Sequence, residues 1–102
     1  MSDKIGKFVI VRCRDAGVHA GVLVSANDRS VSLEASRRLW LWRVPMGAPS
    51  FLSGVAIDGL DHAESKVGTP IDVDLLEACE IILCTDKAEQ SIRTAPEVPR
   101  TV

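Results

Sequence analysis

A chain of 102 residues has room for one hydrophobic core, and its 46% apolar and 25% charged residues are the make-up of an ordinary globular domain. A net charge of −2 excludes a general nucleic-acid coat, which needs a basic surface throughout, while leaving room for a local basic patch. Its three cysteines, Cys13, Cys79 and Cys84, are odd in number and widely spaced, so they fit reduced, packed thiols better than a disulfide framework or a zinc site.

Met1-Ser2-Asp3-Lys4 leads into a mixed strand without the apolar core of a signal peptide, and no apolar run is long enough to span a bilayer. The expectation is a soluble, cytoplasmic protein. Lys7 to Arg14 is rich in β-branched residues and reads as a strand. Asp15-Ala16-Gly17 is a turn, with Gly17 supplying a positive φ. Val18 to Ser25 returns, placing Val18, Ala20, Val22 and Val24 on one face and His19, Gly21, Leu23 and Ser25 on the other. Asn27-Asp28 turns into a third strand, Ser30 to Glu34, with Val31 and Leu33 pointing inward. After a break at Ala35-Ser36, a fourth strand carries Arg37 to Arg43. Four strands joined by tight turns form an antiparallel meander.

Pro45 to Pro49 interrupts the sheet. Ser50 is suited to cap a helix carrying Phe51, Leu52, Val55 and Ala56 and ending near Gly59. Gly54 within it costs about 1 kcal/mol relative to alanine. Asp61 to Gly68 reads as a polar loop, and Pro70 confines Ile71, Val73 and Leu75 to an edge segment. Ile81-Ile82-Leu83-Cys84 reads as a buried strand. Thr85 caps a second short helix with Asp86 and Glu89 in its first turn. Thr94 to Val102, with two prolines, is expected to be a loose tail. The fold class is therefore α+β, an antiparallel sheet of about five or six strands with two short helices. It forms one domain over residues 1–93 followed by a flexible tail, 94–102.

Arg37-Arg38-Leu39-Trp40-Leu41-Trp42-Arg43 is the segment richest in recognition chemistry. Two of only four aromatic residues lie here among three arginines. On an extended strand Arg38, Trp40 and Trp42 share a face about 6.5–7 Å apart, while Arg37, Leu39, Leu41 and Arg43 share the other. Flat rings beside guanidinium groups suit stacking on, and charge pairing with, a planar anion. They equally suit a buried core or a subunit interface, with the arginines paired to carboxylates. His19 joins Arg37, Arg38, Trp40 and Trp42 as a candidate ligand residue. It stands beside a gap left by Gly21 that a tryptophan ring from a neighbouring strand would cover; the competing reading is a packing histidine.

Asp61, His62 and Glu64 are better read as solvated loop residues than as metal ligands, and Asp72 and Asp74 as facing water from an edge strand. Glu80, inside an apolar stretch, needs a partner, for which Arg37 or Arg38 is the natural choice. The sequence contains no phosphate loop, nucleophile elbow or zinc signature, and no cofactor is implied.

Three blocks, Ala16 to Leu23, Ser36 to Trp42 and Leu76 to Thr85, in this order and spacing, resemble a family of small proteins encoded by tailed phages and prophages and catalogued as a domain of unknown function. The likeness covers about residues 7 to 93, with Pro45 to Lys66 departing from the family pattern. It implies a phage context and an accessory role, and supplies no reaction. Three functions then compete. The first is a non-catalytic binder that sequesters an anionic, nucleotide-like ligand or masks a host defence protein through its Arg/Trp surface. The second is an assembly protein that buries the tryptophan face in a homo-oligomer. The third is an enzyme on a phosphorylated small molecule using His19 or Glu80 as acid–base group. The reading favours a binder, with self-association expected.

Overall fold

A computed structural model describes residues 3–98. In chain order these form β1 (Phe8–Cys13), β2 (Gly17–Asn27), β3 (Ser30–Leu41), α1 (Leu52–Asp58), β4 (Lys66–Val67), β5 (Ile71–Leu75), β6 (Ala78–Leu83) and α2 (Asp86–Thr94). The fold is α+β: a six-stranded antiparallel sheet with two helices. β1, β2 and β3 form a meander, and β6 adds to the outer edge of β1. The far edge of β3 is shared, with β5 along its first half and β4 along its second.

The connection between β5 and β6 determines the shape of the sheet. β5 lies beside β3 and β6 beside β1, yet only Leu76 and Glu77 join them. Three Cα steps reach about 11 Å at most. A flat sheet would hold these strands about 19 Å apart, four inter-strand spacings. The sheet must therefore curl into an open barrel. Glu77 makes the corner at φ 57°. Backbone bonds from Arg14 N–H to Glu77 O and from Ala78 N–H to Arg29 O clasp it, both close to 3.0 Å.

Curling divides the core into two layers. Val9, Val11, Cys13, Leu23, Val31, Leu33 and Leu75 fill the inside of the curl. Phe8, Ile10, Ala20, Leu39, Val67 and residues of both helices pack on the outside. β1 is thus buried on both faces, which explains its unbroken Phe8-Val9-Ile10-Val11 run. α2 starts at Thr85, whose Oγ1 accepts from Ala88 N–H at 3.1 Å, with Asp86 and Glu89 in the first turn. No helix among the described residues is long and apolar enough to cross a membrane.

Several local expectations are corrected. The third and fourth strands are one strand, β3, bent by a bulge at Ala35, which takes φ 49°. Opposite the bulge, a Cβ on Gly21 would stand 2.8 Å from Ser36 Cα and 2.9 Å from Glu34 O, so glycine lets the two backbones close up. The gap at Gly21 is filled by the backbone of β3, not by a tryptophan. α1 is preceded by Phe51 with no side-chain cap, so Ser50 does not serve as expected. β6 is a half-exposed edge rather than a buried strand, because β1 alone pairs with it. Past α2, Ala95 is buried, Glu97 bridges to Val67 and Val98 N–H bonds Val67 O at 2.9 Å. The expected loose tail is therefore docked through residue 98; its remainder, 99–102, and the expectation for Met1 and Ser2 lie outside the described residues.

Candidate functional site

The bulge at Ala35 decides which β3 side chains meet the inner face. Val31 and Leu33 point inside, and the extra residue puts Ser36, Arg38 and Trp40 on that side while Arg37 and Leu39 turn to the helices. At the mouth of the curl, Ala16, His19, Ser36, Arg38, Trp40, Gly68 and Thr69 join Ile71, Val73, Asp74 and Leu75 of β5 around a cavity of about 530 Å³.

Arg38 and Trp40 form its charged rim. The Arg38 Cζ lies 3.9 Å from the centroid of the Trp40 ring. Trp40 is 61% exposed, an unusual state for an indole with apolar neighbours to hand. Among the described residues no carboxylate is within ion-pair distance of Arg38. A stacked guanidinium keeps its N–H edges directed outward, in the geometry that grips a carboxylate or phosphate in two places.

His19 is the cross-strand partner of Arg38. It is buried, and its Nε2–H donates to Ala16 O at 2.8 Å. Burial holds its pKa below the ordinary histidine value, helped by the neighbouring Arg38 charge and opposed by the bond to Ala16. The ring is therefore neutral near pH 7, and Nδ1 is its acceptor.

Arg37 and Trp42 are not brought to this cavity. Arg37 is 4% exposed. Its Nε donates to Gly68 O at 2.7 Å, and its Nη1 to Ile92 O at 2.9 Å and Ala95 O at 2.6 Å. The cation thus satisfies carbonyls at the negative end of α2 and ties that helix to β3 and the loop after β4. Burial lowers its pKa, while Glu97 acts in the opposite direction. Trp42 lies just past β3, half-buried and packed against the sheet–helix core. The strand ends before it can continue the alternation.

Glu80 takes neither Arg37 nor Arg38 but Arg12, at 3.0 Å on an exposed surface. It does not line the cavity that His19 lines, so the two do not form an acid–base pair there. Asp72 Oδ1 accepts from Ala35 N–H at 3.1 Å and so steadies the bulge, while Asp74 Oδ1 accepts from Ser32 Oγ at 2.7 Å. Asp61 caps Ala63 N–H, and His62 Nε2 bonds Ser91 O. No group of three or more metal-ligating side chains occurs among the described residues. All three cysteines are free thiols; burial raises the pKa of Cys13 and pushes that of Cys84 up to about 12.

Sequence reasoning missed Ser36. The sequence places it in a strand break, yet it is 1% exposed on the cavity wall, and its Oγ finds no hydrogen-bond partner among the described residues. The available signal was a small polar residue in register with Arg38 and Trp40.

Neither a curated protein nor a solved structure matches the chain. A family profile described as a domain of unknown function (DUF6948) matches residues 6–92, spanning every strand, the cavity and most of α2. The chain belongs to the DUF6948 family.

Proposed function

We propose that this chain is a non-catalytic binding protein that sequesters a small, planar, anionic ligand in the cavity bounded by Arg38, Trp40 and His19. The observation that carries the reading is the Arg38–Trp40 stack. An exposed indole and a guanidinium with no carboxylate partner among the described residues stand together at the mouth of a cavity of about 530 Å³. That volume lies within the range of small-molecule sites, and the wall is mostly apolar with a few convergent polar groups. Trp40 offers a face for a ring, and Arg38 a fork for its charge. The resemblance to phage and prophage proteins supports a setting in which such a binder removes a nucleotide-like signal of host defence, or masks a host protein.

Thermal unfolding with a panel of linear and cyclic nucleotides tests the reading. At least one should raise Tm by several degrees, and Arg38→Ala or Trp40→Ala should abolish the rise while leaving the ligand-free Tm within about 2 °C. Folded wild type that responds to none of them overturns it. A second reading, a homo-oligomer interface, is favoured by exposed Ile71, which lines the same cavity as the exposed Trp40. Sedimentation of Trp40→Ala separates the two, since dissociation supports the interface and an unchanged assembly that loses its ligand supports the pocket.

A further inference from the structure

We infer that Ser36 selects the ligand of the Arg38–Trp40 cavity, and that this ligand is an anion carried on a heterocyclic ring with a hydrogen-bonding edge rather than a plain aromatic acid. The inference rests on the binding reading above and deepens it. On the inner face His19 and Arg38 are paired across β2 and β3, and the next position holds Gly21 against Ser36. Gly21 has no side chain to meet the Ser36 hydroxyl, and no other described residue meets it. An unpaired buried hydroxyl destabilises the fold, and alanine at the same place would not.

The polar groups of this patch complement one kind of molecule. Ser36 Oγ donates or accepts, while neutral His19 offers Nδ1 as an acceptor. The two residues are diagonal neighbours on the sheet, about 7–8 Å apart at Cα. A ring edge carrying an acceptor beside an N–H donor satisfies both, with its anionic group on Arg38 and its face against Trp40. Nucleobases have such an edge; phenyl rings do not. The Ser36 hydroxyl is closed off in the ligand-free chain. Contact with it therefore requires a side chain of the cavity wall to move, and Arg38, which lines the same cavity and rests on a ring, is the side chain assigned that movement.

The test is calorimetric titration of wild type, Ser36→Ala and Arg38→Ala with AMP, GMP, CMP, UMP and phenyl phosphate at pH 7.5, alongside Tm without ligand. At least one nucleotide should bind wild type about tenfold more tightly than phenyl phosphate, which has a like charge on a plain ring. Ser36→Ala should keep or raise the ligand-free Tm, lose that advantage, and hold phenyl phosphate as wild type does. The inference is overturned by any of three results: a lower ligand-free Tm in Ser36→Ala, unchanged nucleotide affinity in it, or phenyl phosphate binding wild type as tightly as every nucleotide. If one of these occurs while Arg38→Ala still abolishes binding, the cavity remains a ligand site and only the role of Ser36 falls. Wild type that binds none of the five overturns this inference, and the binding reading falls with it when the panel of linear and cyclic nucleotides also leaves Tm unchanged.

Discussion

Arg37 and Arg38 are adjacent and chemically identical, yet they do opposite work. The first donates to four backbone carbonyls, those of Gly68, Ile92, Arg93 and Ala95; the second stacks on an exposed ring. Arg37→Ala removes the side-chain donor from Gly68 O and Ala95 O and should cost about 3 kcal/mol of stability, read by urea denaturation. Arg37→Lys should recover only part, because an ammonium cannot fork between Gly68 O and Ala95 O. His19 carries a separate pH signature. Its folded pKa lies below the unfolded value, so as pH falls through about 6.5 the unfolded chain takes up the proton first. Its contribution is therefore complete above that pH and is lost as pH drops toward the folded value. Wild type should lose stability between pH 7.5 and pH 5 more steeply than His19→Gln, as measured by denaturation at both pH values. Equal slopes would show that His19 is not the group responsible.

At the level of elements, close approach outweighs propensity. Gly54 is the residue helix propensity marks for replacement by alanine. A Cβ there, however, would run into the Pro49 carbonyl, with a Val44 methyl 3.2 Å away. Gly54→Ala should accordingly lower stability by about 1–3 kcal/mol instead of raising it by about 1. A higher Tm in that variant would show that the Pro49 loop yields. The same logic governs the bulge. Strand identity for β1, β2 and both halves of β3 was legible from β-branched content and alternation. The continuity of β3 was not, because Ala35 and Ser36 carry no sequence mark of the positive φ that joins the halves. That single extra residue settles which of Arg37 and Arg38 reaches the cavity.

For the whole molecule, the two-residue link between β5 and β6 is the constraint that curls the sheet. Glu77 holds this corner with a positive φ, where a β-branched side chain is strained. Glu77→Val should therefore cost about 1–2 kcal/mol, while Glu77→Gly should stay within about 1 kcal/mol of wild type, as compared by chemical denaturation. Equal stability in the two variants would mean that the corner can reopen without strain. The cavity depends on the same curl, since His19, Ser36 and Val73 reach one mouth from three strands.

What the sequence determined by itself was local: an α+β make-up, the Thr85 cap, and Arg38 and Trp40 on one face, all of which follow from spacing and side-chain type. The tertiary structure decided what depends on distant backbone. It turned Arg37 toward the carbonyls of α2, took Trp42 to the sheet–helix core, paired Glu80 with Arg12 and left Ser36 without a partner among the described residues. Burial and hydrogen-bond partners belong to residues tens of positions apart, and no periodicity within one strand encodes which of them the curled sheet will bring together.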